Sequence, residues 1–152
     1  MNNNDVFRNL RYIFDFDDNK MMKLFSLGNK AVTRAQISDW LKKEDHESYK
    51  TIVDENLSAF LNGLIVLNRG AQDGSPAVNE KRLNNNQIMR KLKIALQLKD
   101  EDLIEILSLI DFKISKHELS AFFRKPGHNH YRVCKDQILR KFIFGLRAKY
   151  RP

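Results

Sequence analysis

Three histidines and a cysteine stand close together in the second half of the chain. His128, His130 and Cys134 form a His-x-His-x3-Cys pattern, and His117 precedes them. Imidazole and thiolate are zinc ligands, and a structural zinc site closes with four of them. Setting the chain against itself at an offset of 82 residues places Ser48 opposite His130 and Ile52 opposite Cys134. A metal site common to both halves is therefore excluded, and one built on the pattern in the second half needs a further ligand. No metal and no cofactor are expected. His46 and Tyr49 do recur, as His128 and Tyr131; they are expected to tie a loop to the helices beside it.

Two acidic groups, Asp15, Asp17, Asp18 and Asp100, Glu101, Asp102, have the makings of a metal or acid–base pair. Their place between apolar helical patterns assigns them instead to helix starts, where free N–H groups and the helix dipole favour negative charge. The chain has no glycine-rich phosphate loop, no Gly-x-Ser-x-Gly elbow and no Cys-x-x-Cys. No nucleophile stands with a base, so the chain is expected not to be an enzyme.

The basic residues carry the one chemical pattern that differs between the halves. Arg140, Phe144, Arg147 and Arg151 are spaced four, three and four, which places them on one stripe of a helix. Their counterparts 82 residues earlier are Ser58, Asn62, Ile65 and Arg69. Arg124, Lys125, Arg132 and Lys135 are expected to extend the stripe, with Lys91 and Lys93 near it. Residues 84–152 hold 15 Lys and Arg against 7 Asp and Glu, whereas residues 1–68 hold 9 against 10, so the net charge of +8 resides in the second half. Clustered arginine beside an aromatic suits phosphate contacts and base stacking. The expected partner is RNA or DNA, which these residues do not separate. The alternative is a protein–protein adaptor or a homo-oligomer, using Ile65 and Leu67 where the second half has Arg147 and Lys149. The turn Asp111–Ile114 also gives a helix-turn-helix outline, with Lys116, His117, Ser120 and Arg124 outermost.

These residues need helices to position them. Asn2-Asn3-Asn4 and Asn84-Asn85-Asn86 open the two halves as N-cap signals. Helix 1 is predicted over Asp5–Phe14 and Gln87–Leu98 from apolar residues on one face. Helix 2 follows, apolar around most of its circumference and therefore central, with Gly28-Asn29 as a stop. Thr33 and Ser115 cap helix 3, which ends near Lys43 and Lys125. Asp54 and Asp136 are expected to cap helix 4 and to bridge to Arg8 and Arg90. Gly63 and Gly145 lie inside helix 4, where glycine costs about 1 kcal/mol relative to alanine; their recurrence predicts close approach of another helix. The fold is thus expected to be all-α, a tandem duplication of a four-helix unit. The first repeat is 1–68, a flexible linker 69–83 and the second repeat 84–152, the two packing together.

The single cysteine excludes an intramolecular disulfide and suits a reducing compartment. The longest apolar run, Leu64–Leu67, is too short for a membrane span. The opening Met1–Asp5 has no basic head and no apolar stretch behind it, so a cytoplasmic protein is expected.

Several of these stretches together resemble a known family. They are the opening Asn-Asn-Asn, Leu109 with the Ser115 cap, Trp40-Leu41-Lys42-Lys43-Glu44-Asp45, Ser58-Ala59-Phe60-Leu61-Asn62-Gly63-Leu64 and Gly145-Leu146. Over essentially the whole chain they resemble the YehS-like family of small bacterial proteins, a domain of unknown function. The resemblance implies a bacterial cytosolic protein and no activity, and it carries over no catalytic residue.

Overall fold

Each half begins with three asparagines, and each of the three has a different task. The computed structural model describes residues 1–70 and 78–152. In it Asn2 and Asn84 are the N-caps of α1 (Asn3–Phe14) and α5 (Asn85–Ala95); each accepts from the N–H three residues on, closing a capping box. Asn3 and Asn85 reach the start of the last helix of their repeat, donating to Asp54 and Asp136 at 2.6 and 2.8 Å. Asn4 is wholly buried. Its amide donates to the carbonyls of Trp40 and Lys50, and its oxygen accepts from the Ile52 N–H. Asn86 does the same with Phe122, Arg132 and Cys134.

Between these anchors lie α2 (Asp18–Leu27), α3 (Arg34–Leu41) and α4 (Asp54–Arg69), then α6 (Asp100–Ser108), α7 (Lys116–Ala121) and α8 (Asp136–Tyr150). The described residues are helical throughout their regular structure, eight helices in two sets of four. Asp17, Thr33 and Ser115 cap as expected. Asp54 and Asp136 do not: they are the first residues of α4 and α8, whose caps are Val53 and Lys135. Their carboxylates serve the asparagines instead, and Asp54 also accepts from the Leu83 N–H. The expected bridges to Arg8 and Arg90 are not formed. Arg8 pairs with Asp5 and donates to the Lys42 carbonyl, and Arg90 is exposed. Asp15 lies at the end of a helix, not at a start. It is left-handed (φ 53°), as is Gln97 (φ 54°) at the matching place after α5.

One apolar core runs through both repeats. Phe7, Phe25, Trp40 and Phe60 form its aromatic part, with ring centroids 4.9 to 6.2 Å apart in the pairs that Phe7 makes. The helix 2 pair is less enclosed than its composition suggested: Met22 and Ile104 are only partly buried, and Leu109, just past the end of α6, is half exposed. Close packing against helix 4 is the purpose of the repeated glycines. A Cβ at Gly63 would overlap the Leu24 carbonyl, and one at Gly145 would lie 2.8 Å from the Ile106 oxygen. The repeats join reciprocally: α4 packs on α5, and α8 packs on α1. Helix 4 of each repeat meets helix 1 of the other, the pattern of a pseudo-twofold pair.

Residues 71–77 of the expected flexible linker lie outside the described residues. Residues 78–83 are fastened down. Asn79 donates to the Gly28 carbonyl and accepts from Asn62, and Glu80 takes the Ser58 hydroxyl and the Lys91 ammonium at 2.9 and 2.8 Å. Ile65 and Leu67 are half-buried against the common core, which leaves little of them for a further partner.

Two predictions follow from this scaffold. Asn4→Ala and Asn86→Ala should each cost about 2–4 kcal/mol in urea melts, because buried backbone groups lose their partners. Asn4→Asp should not rescue, since a carboxylate cannot donate to two carbonyls. Burial raises the Glu80 carboxyl, but Lys91 and the Ser58 hydroxyl outweigh it and hold it below its ordinary 4.5. A depressed carboxyl contributes stability above its ordinary value and loses it as pH falls through the folded one. The stability advantage over Glu80→Gln should therefore shrink on titration from neutral pH to below 4.5.

Candidate nucleic-acid interface

The loop between helices 3 and 4 takes one conformation in both repeats. His46 Nδ1 accepts from the Ser48 N–H at 3.0 Å, while the His46 N–H donates to the Lys43 carbonyl. His128 Nδ1 accepts from the His130 N–H at 3.0 Å, and its own N–H donates to the Lys125 carbonyl. Tyr49 and Tyr131 close the next turn on the carbonyls of His46 and His128. The repeated histidine thus folds the loop through its own ring nitrogen.

On this common scaffold the charge differs. The first loop carries Glu44, Asp45 and Glu47 among its lysines; the second has Pro126, Gly127 and Asn129 at those places. Arg124, Lys125, Arg132 and Lys135 are all exposed there. Among the described residues no carboxylate pairs with any of them, nor with Arg140. The Arg132 N–H holds the returning strand to the Ala121 carbonyl at 3.1 Å, so its side chain is displayed from a fixed backbone.

The stripe expected along α8 is divided. Arg140 and Phe144 are exposed, Phe144 at 39%. Their counterparts Ser58 and Asn62 are buried beneath residues 78–80, and no described segment covers α8 in that way. Arg147 and Arg151 are employed elsewhere. Their guanidinium groups lie 4.6 and 4.4 Å from the Tyr12 ring centroid. Arg151 also donates to the Tyr12 carbonyl and pairs with Asp15 at 3.2 Å. Arg140 and Arg151 are 11 residues apart, about 16 Å along the helix. The stripe therefore separates into a group at the loop and a group that fastens α8 to the first repeat.

A recess of about 320 Å³ opens beside the loop group. Phe112, Ile114, Phe122 and Val133 line it, with Arg132 and Lys135 among its polar residues. In the first repeat the places of Phe112 and Gln137 are held by Lys30 and Glu55, an ion pair at 3.8 Å. Pairing the two copies residue by residue reveals the loss of the loop acids; the recess depends on packing and has no such signal.

The helix-turn-helix outline is not realised. Helix α7 has six residues, the connection from α6 runs through 109–115, and Lys116 is paired with Glu101 at 2.8 Å. The zinc pattern is taken apart by burial. The three histidines are exposed, with His128 and His130 rings 5.5 Å apart. Cys134 is 2% exposed, and its sulfur faces Met89 at 3.9 Å. No described helix is long and apolar enough to cross a membrane.

A family model described as "Protein of unknown function (DUF1456)" matches the chain twice, over residues 3–70 and 85–151. The chain is also similar to "Uncharacterized protein YehS" of Escherichia coli (strain K12), with 43% identity over 150 residues, 98% of this chain and 96% of that protein. No solved structure matches.

Burial, then the Asp136 charge, pushes the Cys134 thiol up to about 11, and the thiolate is the reactive form. Native protein at neutral pH should label with a disulfide reagent only slowly, and urea-unfolded protein rapidly; equal rates would contradict the burial.

Proposed function

The chain belongs to the DUF1456 family, proteins of unknown function, and we propose that it is a non-catalytic binding protein for single-stranded nucleic acid, RNA or DNA. The interface is the α7–α8 loop with the start of α8: Arg124, Lys125, Arg132, Lys135 and Arg140, with Phe144 beside them. The observation that carries this reading is the pair of loops with one backbone and different charge. Folding needs neither the loss of three acids nor the added cations Lys135 and Arg140, since the first repeat makes the same loop with its acids in place, with Lys42, Lys43 and Lys50 opposite Arg124, Lys125 and Arg132, and with Val53 and Ser58 opposite the other two.

The recess favours a single strand over a duplex. A flexible backbone lies along the cations while an unstacked base enters against Phe112 and Phe122, and stacking of this kind is worth about 1–3 kcal/mol per base. Arg147 and Arg151 are left out of the interface, because their charge is directed at Tyr12 and Asp15.

Fluorescence anisotropy with short labelled oligonucleotides, across a salt series, tests the reading. Binding should weaken steeply with salt, by about 0.7 in the logarithmic slope for each phosphate contact on a single strand. Arg124→Glu with Arg132→Glu and Arg140→Glu should flatten that slope, whereas Arg147→Glu should lower the melting temperature and leave the slope alone. Absence of binding at low salt, or an unchanged slope in the triple variant, would sink it.

A further inference from the structure

The reciprocal packing creates two equivalent seams between the repeats, and the chain fills them differently. At the α1–α8 seam Tyr12 lies against Arg151, which also holds the Asp15 carboxylate. At the α4–α5 seam the equivalent places are Ile94 for Tyr12, Gln97 for Asp15 and Arg69 for Arg151. The arginine is retained, while the ring and the carboxylate are gone. An open cleft of about 610 Å³ lies there, lined by Arg69, Arg90, Lys93, Ile94, Gln97 and Phe123 among others.

The electrostatics of the cleft differ in the same direction. Arg8, the equivalent of Arg90, is held by Asp5 and the Lys42 carbonyl. At the place of Asp5 the second repeat has Gln87, and among the described residues Arg90 makes no ion pair. Lys93 is paired with Asp100 at 2.7 Å and lies 4.3 Å from the Phe123 ring centroid. Among the described residues neither Arg69 nor Arg90 has an acid partner, and both line the cleft beside a wall of Ile94, Leu98 and Phe123.

We propose that this cleft binds a planar anion of about mononucleotide size, with an aromatic ring carrying a phosphate or carboxylate. The ring rests on the Ile94 and Phe123 wall and the anionic group takes Arg69 and Arg90. The filled seam is the template, since the protein itself supplies there the two groups that the open seam lacks: a ring against a guanidinium and a carboxylate on it. The volume falls within the range of small-molecule sites, and two guanidinium groups suit a phosphate or carboxylate because their charge-assisted bonds are short and directional. This site uses none of the side chains of the α7–α8 loop interface.

Calorimetric titration of the full chain with adenosine 5′-monophosphate, benzoate, inorganic phosphate and adenosine tests it. One of the two ring-bearing anions should bind at least about tenfold more tightly than phosphate or adenosine alone, a difference that corresponds to joining the two contacts. Tighter binding of the nucleotide assigns phosphate, and tighter binding of benzoate assigns carboxylate. Ile94→Tyr with Gln97→Asp rebuilds the filled seam and should abolish binding without lowering the melting temperature. Should that variant fold poorly, Arg69→Ala with Arg90→Ala, both at exposed positions, should weaken binding by at least about tenfold. No binding of either anion, or binding unaffected by the arginine pair, would overturn the proposal.

Discussion

The fold depends on how two extended segments, 50–53 and 132–135, satisfy their backbone. Each runs from the end of a loop to the start of the last helix of its repeat, with no strand beside it among the described residues. Buried N–H and C=O groups in such a segment need partners. Asn4 and Asn86 supply them, since an amide side chain can donate twice and accept once at a single point. Asn3 and Asn85 extend the clamp to Asp54 and Asp136. Helix 1 is thereby joined to the segment that launches helix 4, and the intervening loop is held to one shape in both copies. The two loops can therefore be compared as surfaces, their backbones being the same.

The second constraint is the closeness of helices 2 and 4. Gly63 and Gly145 bring the backbones near enough that a methyl group has no space, which fixes the faces that helix 4 has left. One of them goes to the other repeat. Another, carrying Ser58 and Asn62 in α4, is roofed by residues 78–80 and bonds to Glu80 and Asn79. In α8 the same face carries Arg140 and Phe144 and stays exposed. Part of the difference between the halves thus has a packing origin: polar residues small enough to fit under a roof are replaced where no described segment lies over them. The loss of the loop acids and the gain of Lys135 have no such explanation, because no described segment covers either loop.

The pseudo-twofold also shows how one sequence change propagates. Tyr12 in place of Ile94 draws two arginines, Arg147 and Arg151, onto its ring at one seam. With them goes about half of the stripe that a helical spacing argument assigns to a ligand. Spacing places Arg140, Phe144, Arg147 and Arg151 on one line; it says nothing of what lies opposite that line, and opposite its far end lies the first repeat.

The sequence by itself determined the features that depend on local periodicity and on comparing the two copies. These are the helical class, the duplication, the Thr33 and Ser115 caps, the tight approach at Gly63 and Gly145, and the concentration of positive charge after residue 84. Such features arise from contacts a few residues apart, or recur at a fixed offset, and both leave a mark in one dimension. Only the tertiary structure decided which polar residues are consumed by the fold. Asn4 and Asn86 read as caps and are buried clamps, and Asp54 and Asp136 read as caps and accept from Asn3 and Asn85. Arg147 and Arg151 read as ligand contacts and stack on Tyr12, and Arg90 read as a bridge and lines an open cleft. Each of these turns on a partner dozens of residues away, and polar side chains carry no periodic signal that would reveal which partner the packing brings to them.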